Sequence, residues 1–401
     1  MRVLLLHNRY QLVGGEDAVV QAEKALLEQK GHQVTLLEIS NDDITGVWEK
    51  ANAAVSAIYS LASKRRVSAQ ITHFRPDLVH IHNFFPLLSP SVYDACRDAG
   101  MPVVQTLHNY RLGCPNAMLL RNGKPCEDCL GKWMPWSGIV HGCYRGSRTQ
   151  SAVVAAMLAV HWWRGTWQER VDAYIVLTAF QKEKMVQAGL PKEKIYVKPN
   201  YVFAPEPSGD NRVLGDYALF VGRLSQEKSV ETLIEAYRHN DLRIPLKIIG
   251  EGPLREALQT GIQVAGLEDV IEFLGQQDKS AVLTLMHNAR FLVFPSIWYE
   301  TFGLTMVEAF ACSLPVIASR LGSMAEIVED GVTGLHFEPG NSADLADKLQ
   351  WASEHPEEMI RMGKNARRVY ESFYTPEDNY QQLMAIYQQA INNPSSKFEP
   401  D

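Results

Sequence analysis

Phe291-Leu-Val-Phe-Pro-Ser-Ile-Trp-Tyr-Glu300-Thr-Phe-Gly303-Leu-Thr-Met-Val-Glu308-Ala309 is the stretch on which the fold turns. Its first four residues are apolar and too few for a helix, but they suit a buried strand. Pro295 ends that strand, Gly303 marks the close of a loop, and 304–312 continues as an apolar helix. The result is one strand–loop–helix unit, and the unit repeats. Strands are expected at 217–221, 246–250, 271–274 and 316–319, separated by helices at 230–237, 254–260, 281–287, 304–312 and 343–351. Val230, Leu233, Ile234 and Tyr237 have the spacing of one helix face. An earlier series runs through strands at 2–6, 34–39, 78–82, 103–107 and 173–177, with a helix over 18–30 stopped at Gly31. Such alternation predicts an α/β chain with parallel sheets covered by helices on both faces. Residues 198–214, with three prolines and no period, read as the linker. The expected division is a first domain over 1–200, a second over 201–375, and a C-terminal helix over 376–395 packing back on the first. Residues 395–401 read as a frayed tail.

Composition narrows the function. At roughly 150 residues per domain, 401 residues allow two to three domains. Hydrophobic residues at 46% and charged residues at 21% exclude disorder, collagen and coiled coil as the main architecture. The 39 basic and 46 acidic side chains give a net charge of −7, which argues against a dedicated nucleic-acid binder. Six cysteines are too few for a disulfide scaffold of this size. The apolar run Val3-Leu-Leu-Leu6 is too short for a signal peptide. The stretch 152–163 is broken by His161 and stopped by Arg164, short of the roughly 18 apolar residues of a membrane span. A cytoplasmic protein is expected, touching the inner membrane surface at its periphery at most.

Ligands of open parallel sheets bind at the carboxyl ends of the strands, so the loops there carry the chemistry. Gly14-Gly15 brings two glycines to a helix start, where backbone N–H groups and the dipole favour an anion. A simple tight turn is the other reading, since the spacing of a dinucleotide fingerprint is absent. Gly222-Arg223 and Lys228 follow a strand and precede a helix. Two cations in that position suit a diphosphate, and Gly222 allows close backbone approach. A solvated loop is the plain alternative. Glu300 and Glu308 suit a ligand rich in hydroxyls, because a charged acceptor binds hydroxyls strongly. Alternatively, they are carboxylates favoured near a helix N-terminus.

Glu300 and Glu308, seven residues between them and downstream of Gly222-Arg223 and Lys228, resemble the retaining glycosyltransferases of family 4. Gly250-Glu-Gly-Pro253, Asp330-Gly-Val-Thr-Gly334, Gly14-Gly15 and Gly31-His32-Gln-Val34 add similar signatures, so the resemblance covers nearly the whole chain. One departure is Ser229, where a glycine commonly follows the lysine; a serine is expected to be tolerated at a helix start. The resemblance implies a GT-B fold, two Rossmann-like domains facing across a deep cleft, with the donor on the second. By similarity, Glu308 holds the ribose and Arg223 and Lys228 the diphosphate. Backbone N–H groups near Gly14, Gly15, Gly303 and Leu304 assist, and Glu300 meets the donor sugar. His108, in Thr106-Leu-His-Asn-Tyr110, matches a histidine near the reacting sugar. The implied activity is a retaining, metal-independent hexosyl transfer from a nucleotide-diphosphate sugar to a glycan or lipid-linked acceptor, in cell-surface polysaccharide biosynthesis. A nucleotide-sugar epimerase of the same fold is one alternative. A zinc-stabilised binding module without catalysis is another.

Two features stand outside that pattern. Cys114, Cys126, Cys129 and Cys143 fall in a Gly- and Pro-rich insertion at about 111–145. Four cysteines that include a Cys-x-x-Cys suit a tetrahedral structural zinc, and four reduced thiols are the plain alternative. Lys64-Arg65-Arg66 and His161-Trp-Trp-Arg-Gly-Thr-Trp167 suit an anionic membrane surface, or else a solvated charge cluster and a packed helix.

Overall fold

Val3, Leu4, Leu5 and Leu6 of the first strand are all fully buried. A strand without in–out alternation must be covered on both faces, which is the condition of a parallel sheet inside an α/β layer. The computed structural model describes residues 1–9, 14–40, 56–203, 215–239 and 242–393. The strands in chain order are β1 (Arg2–Arg9), β2 (Gln33–Ser40), β3 (Leu78–Asn83), β4 (Val103–Thr106), β5 (Leu120–Arg121), β6 (Lys124–Pro125), β7 (Ala173–Val176) and β8 (Ile195–Val197). They continue with β9 (Ala218–Val221), β10 (Leu246–Ile249), β11 (Ile271–Gly275), β12 (Phe291–Phe294), β13 (Val316–Ser319) and β14 (Gly334–Phe337). One sheet has the order β2-β1-β3-β4-β7-β8 and the other β11-β10-β9-β12-β13-β14. Every pairing within these two sheets is parallel. Two parallel-sheet α/β domains are thus what the repeating pattern builds.

The chain divides into two compact units. The first holds residues 1–119, 126–198 and 380–401, and the second 120–125 and 199–379. This differs from the sequence division at the β5–β6 hairpin: the insertion was assigned whole to the first domain, yet 120–125 groups with the second. Two residues per strand give no hydrophobic period to read, and a Cβ at Gly123 would lie 3.8 Å from the Ile297 side chain of the second unit. β8, three residues long, and β14, whose run Gly-Leu-His-Phe is broken by a glycine and a histidine, also go unread in the sequence. The linker residues 204–214 and the tail 395–401 lie outside the described residues, as do residues 10–13 of the first loop.

The helix Pro376–Asn392 closes the first unit. Leu383, Ile386, Tyr387 and Ala390 form its buried stripe, in one cluster with Val3, Leu5, Leu78, Val104 and Ile175 of the sheet. In the second unit the Gly-Glu-Gly-Pro signature has a steric cause. Gly250 sits at φ +138°, and a Cβ there would lie 1.9 Å from the Gly222 carbonyl oxygen. At Gly252 a Cβ would lie 2.3 Å from that of Leu224. The loop after β10 is therefore laid directly on the loop after β9, and Leu224 N–H donates to Glu251 O at 2.9 Å.

Ser229, expected only to be tolerated, has a sharper constraint. Its backbone is left-handed, φ 51° and ψ 44°, ahead of the helix Val230–His239. Left-handed backbone costs an L-residue roughly 1–2 kcal/mol, which explains the glycine usual at this place. The Ser229 hydroxyl recovers part of that through a 2.7 Å bond to Thr232. Ser229→Gly should therefore stabilise the second unit by about 1 kcal/mol in urea denaturation, after the entropy cost of glycine. A loss of stability would show that the Thr232 bond outweighs the strain.

Candidate active site

Parallel order has one consequence for ligands. Where neighbouring strands send their loops to opposite sides, a crevice opens at the carboxyl end of the sheet. In the second sheet that place lies between β9 and β12, and in the first between β1 and β3. The motifs singled out in the sequence follow these strands.

In the second unit, Gly222 and Arg223 leave β9, and the 295–303 loop leaves β12. Lys228 Nζ reaches Glu300 Oε1 at 2.5 Å, and the Ser296 hydroxyl donates to the same oxygen at 2.8 Å. Ile297 N–H donates to the Glu227 carbonyl, tying the two loops together. Lys228 also lies 5.3 Å from the Phe294 ring centre and 5.9 Å from that of Trp298. Glu300 is buried and Arg223 exposed, and among the described residues no hydrogen bond or ion pair holds the Arg223 side chain. Gly303, at φ +84°, caps the helix Leu304–Ala311, whose first N–H groups have no partner within the helix. Glu308 lies on that helix, mostly buried, and its carboxylate is engaged by Lys279. Sequence reading missed Lys279, because nothing marks one lysine at the start of an ordinary helix. The structure therefore brings Gly222, Arg223, Lys228, Glu300, Gly303, Leu304 and Glu308 onto three consecutive features of one sheet end.

In the first unit, Gly14 and Gly15 open the helix Gly15–Gln29 beside the end of β1. The Gly14 N–H is occupied by the Asp17 carboxylate at 2.8 Å, so the amides left to an anion are those that follow. Asp17 is also held by His7 Nε2 at 2.8 Å, and His7 Nδ1 faces Glu16 Oε1 at 3.8 Å. Burial, helped by Asp17 and opposed by Arg111 and Asn83, raises the Glu16 pKa to about 8. Arg111 is buried, donates to the Pro115 carbonyl and lies over the Phe85 and Tyr144 rings at 4.6 and 5.2 Å. His108 stacks on His82, with His82 Nδ1 3.0 Å from His108 Nε2. Both line a small pocket with Asn83, Phe85, Asn109 and Arg111. Burial and the neighbouring His82 hold His108 well below the usual histidine range, so it is neutral at pH 7. Glu16, Asn83, Arg111 and His82 were missed. Their only signal is position after a strand or at a helix start, which many non-functional residues share.

The cysteine cluster does not present a preformed tetrahedron. All six cysteines are unbridged, and among the described residues no three of the four insertion sulfurs lie within 4.8 Å of one another. Cys114 Sγ donates to Asn116 Oδ1 at 2.9 Å. Burial, then the neighbouring Cys114, pushes the Cys129 thiol up to about 12, so it is protonated at neutral pH. A zinc ion would have to draw these groups together. The aromatic motif at 161–167 also divides. His161 is buried against Thr166 and the Ile58 carbonyl, and Trp167 is fully buried, which leaves Trp163 exposed. Lys64 of the basic run is paired with Asp98 at 2.6 Å. Among the described residues no helix is long and apolar enough to cross a membrane.

The family described as Glycosyl transferases group 1 matches residues 212–369, and that described as Glycosyl transferase 4-like domain matches 14–201. An uncharacterized glycosyltransferase of Methanocaldococcus jannaschii is 37% identical over 161 residues, 40% of this chain and 45% of the relative. The chain thus spans less than half the length of that relative. Among solved structures, HepE of Anabaena in complex with UDP aligns at TM-score 0.68 and 20% identity, over 97% of this chain and 100% of that one. The lipopolysaccharide outer core galactosyltransferase WaaB aligns at 0.66 and 18% identity, over 96% and 99%. At such identities the likeness is one of fold, and the fold is GT-B.

The raised Glu16 pKa gives a signed prediction. The folded state holds this proton more tightly than the unfolded chain, so its stabilising effect is complete below pH 4.5 and is lost as pH rises through about 8. Glu16→Gln should therefore gain stability relative to the parent chain between pH 5 and 8, read by hydrogen exchange in the helix Gly15–Gln29. Parallel pH curves for the two proteins would show that Glu16 is ionised throughout.

Proposed function

We propose that this chain, which belongs to the group 1 glycosyl transferases with a 4-like first domain, moves a glycosyl unit from a nucleotide-diphosphate sugar to a carbohydrate or lipid-linked acceptor, with retention at the anomeric carbon. One observation carries the reading: cations, carboxylates and a helix N-terminus converge at the strand-order reversal of the second sheet. Arg223 and Lys228 are placed to meet a diphosphate. They gain most when the sugar–phosphate bond breaks and negative charge collects on the leaving group. The amides ahead of Leu304 add a second source of positive potential. Glu308 is an acceptor for vicinal hydroxyls such as those of a ribose. Glu300, fixed by Lys228 and Ser296, is a rigid acceptor for hydroxyls of the transferred sugar. The cations of the chain suffice for leaving-group stabilisation, so the reading requires no catalytic metal.

A UDP-bound neighbour and a lipopolysaccharide galactosyltransferase among the structural relatives support a nucleotide-sugar donor and a cell-surface glycan product. The first unit exposes Trp133, Trp136 and Trp163, the kind of side chain that rests at a lipid headgroup layer when an acceptor is membrane-borne.

A thermal-shift panel of nucleotide sugars tests the reading first, since a ligand that binds only the native state raises its melting temperature. No shift with any member, together with no sugar transfer, would overturn it. Arg223→Ala should lower kcat more than it raises KM, because its charge counts mostly in the transition state. Glu308→Ala should weaken nucleotide binding about tenfold or more, the worth of one charged hydrogen bond. Its stability should hardly change, because the Lys279 released is more than half exposed. Unchanged nucleotide affinity would refute the ribose assignment.

A further inference from the structure

Glu23, His80, His82 and Lys198 are charged or polar groups buried inside the first unit, none more than 3% exposed. Burying such groups without partners would be costly, and here they partner one another. Lys198 Nζ lies 3.5 Å from Glu23 Oε2. Glu23 Oε1 lies 3.0 Å from His80 Nδ1 and 3.2 Å from His82 Nε2. His80 is closed off on both sides, by Tyr387 at 2.7 Å and by Thr106 at 2.8 Å. His82 continues to His108 through the 3.0 Å contact of Nδ1 with Nε2.

We propose that Glu23 and His82 form a buried relay that fixes His108 in a single tautomer, with the proton on Nε2 and the lone pair on Nδ1. The reasoning is a count of protons. Glu23 is kept ionised: burial opposes this, but His80, Lys198 and His82 outweigh burial and hold the carboxyl well below its usual range. An ionised carboxylate can only accept. The nitrogen of His82 facing it must therefore carry hydrogen: the pair at 3.2 Å lacks the alignment of a full hydrogen bond, but a lone pair that close to an ionised carboxylate oxygen would be repelled, and an N–H is attracted. His82 is neutral, its pKa lowered to about 4 by burial and then by His80. A neutral imidazole has one N–H, so His82 Nδ1 is bare and can only accept. The atom 3.0 Å from it is His108 Nε2, which must supply the hydrogen. His108 is neutral too, which leaves its lone pair on Nδ1. Glu23 and His82 are positioning residues, since both act through His108. On the proposed function, His108 then meets a sugar hydroxyl as an acceptor and not as a donor.

A rival use of the same atoms is metal binding, because ligand atoms of Glu23, His80 and His82 lie within 4.8 Å of one another. Lys198 argues against it. Its ammonium already supplies the positive charge on this carboxylate, and a divalent ion would have to be held beside it.

The test is long-range proton–nitrogen NMR of the full chain labelled with nitrogen-15 histidine, at neutral pH. His108 is assigned by the signal lost in His108→Asn. The expected spectrum shows a protonated Nε2 and a bare Nδ1 for both His82 and His108, the tautomer favoured more than about tenfold, as one hydrogen bond allows. A protonated Nδ1 on His108, or a ring averaging between both forms, would overturn the relay. In Glu23→Gln the amide can present either its oxygen or its nitrogen to His82, so His108 should become a mixture of tautomers. If His108 keeps its single form in a folded Glu23→Gln protein, the relay is refuted. The spectrum of the unaltered chain decides the matter even if that variant does not fold. Stoichiometric metal that is lost in His82→Gln would equally overturn it. The tautomer is read without substrate. A chain that transfers no sugar would end the functional reading and leave the relay standing, and the reverse outcome is equally distinguishable.

Discussion

A parallel sheet can be made only if each strand is followed by a return to the other end. That crossover is long, usually contains a helix, and is right-handed. Every strand therefore delivers its next loop to the same end of the sheet. In this chain the constraint operates twice, with six strands in each parallel sheet. Much of what is chemically distinctive sits at that end: Gly222 and Arg223 after β9, the 295–303 segment after β12, Gly14 after β1, Asn83 at the last position of β3 and His108 after β4. The core fixes the strands, the strands fix the loop origins, and short-range devices do the rest. Those devices are steric at Gly250 and Gly252, electrostatic at Lys228 and Glu300, and a matter of capping at Gly303.

The two units meet the cost of polar burial differently. In the second, the buried carboxylate Glu300 has a lysine and a hydroxyl on one oxygen, close to the surface. In the first, a carboxylate lies deep among histidines, and a single lysine at the end of the unit balances it. Such an arrangement is sensitive to the loss of any one member, because a buried charge left alone costs several kcal/mol. It also limits how the rings can bond, since few proton placements satisfy every atom.

Much of this was legible in the sequence. Four- and five-residue apolar runs mark β1, β9 and β12, the last two ended by Gly222 and Pro295, because strands covered on both faces need no alternation. The second-unit site was legible because its residues lie close in sequence to those strands and in a pattern similar to a known family. What stayed hidden has common physical causes. β8 and the β5–β6 hairpin are too short to carry a period. The left-handed backbone at Ser229 follows from the turn that enters a helix, and residue type alone suggested a harmless cap. In the sequence Glu23 is one polar position on the helix expected at 18–30, and His80 and His82 are polar residues in the strand expected at 78–82. Their partners, Lys198 and Tyr387, are more than a hundred residues away, beyond any local pattern. The cysteines are the reverse case: their spacing suits a zinc or four reduced thiols, and among the described residues no three of their sulfurs already lie within 4.8 Å of one another.

The final helix bears on how the chain is made as well as on how it is held. Leu383, Ile386, Tyr387 and Ala390 complete the core that Val3 and Leu5 begin, and Tyr387 closes one side of His80. The first unit thus contains the two extremes of the chain, with the whole of the second inserted between them. Domains in a growing chain commonly fold in the order of synthesis, the N-terminal one first. Here the first unit waits on a helix made after the second, since its sheet keeps an uncovered apolar face until Pro376–Asn392 emerges. Closing that face is a contact between the chain's most distant segments, the slowest kind to form. The six-stranded sheet of the second unit lies within 218–337 and has no such wait, so it can be in place before the first sheet is covered.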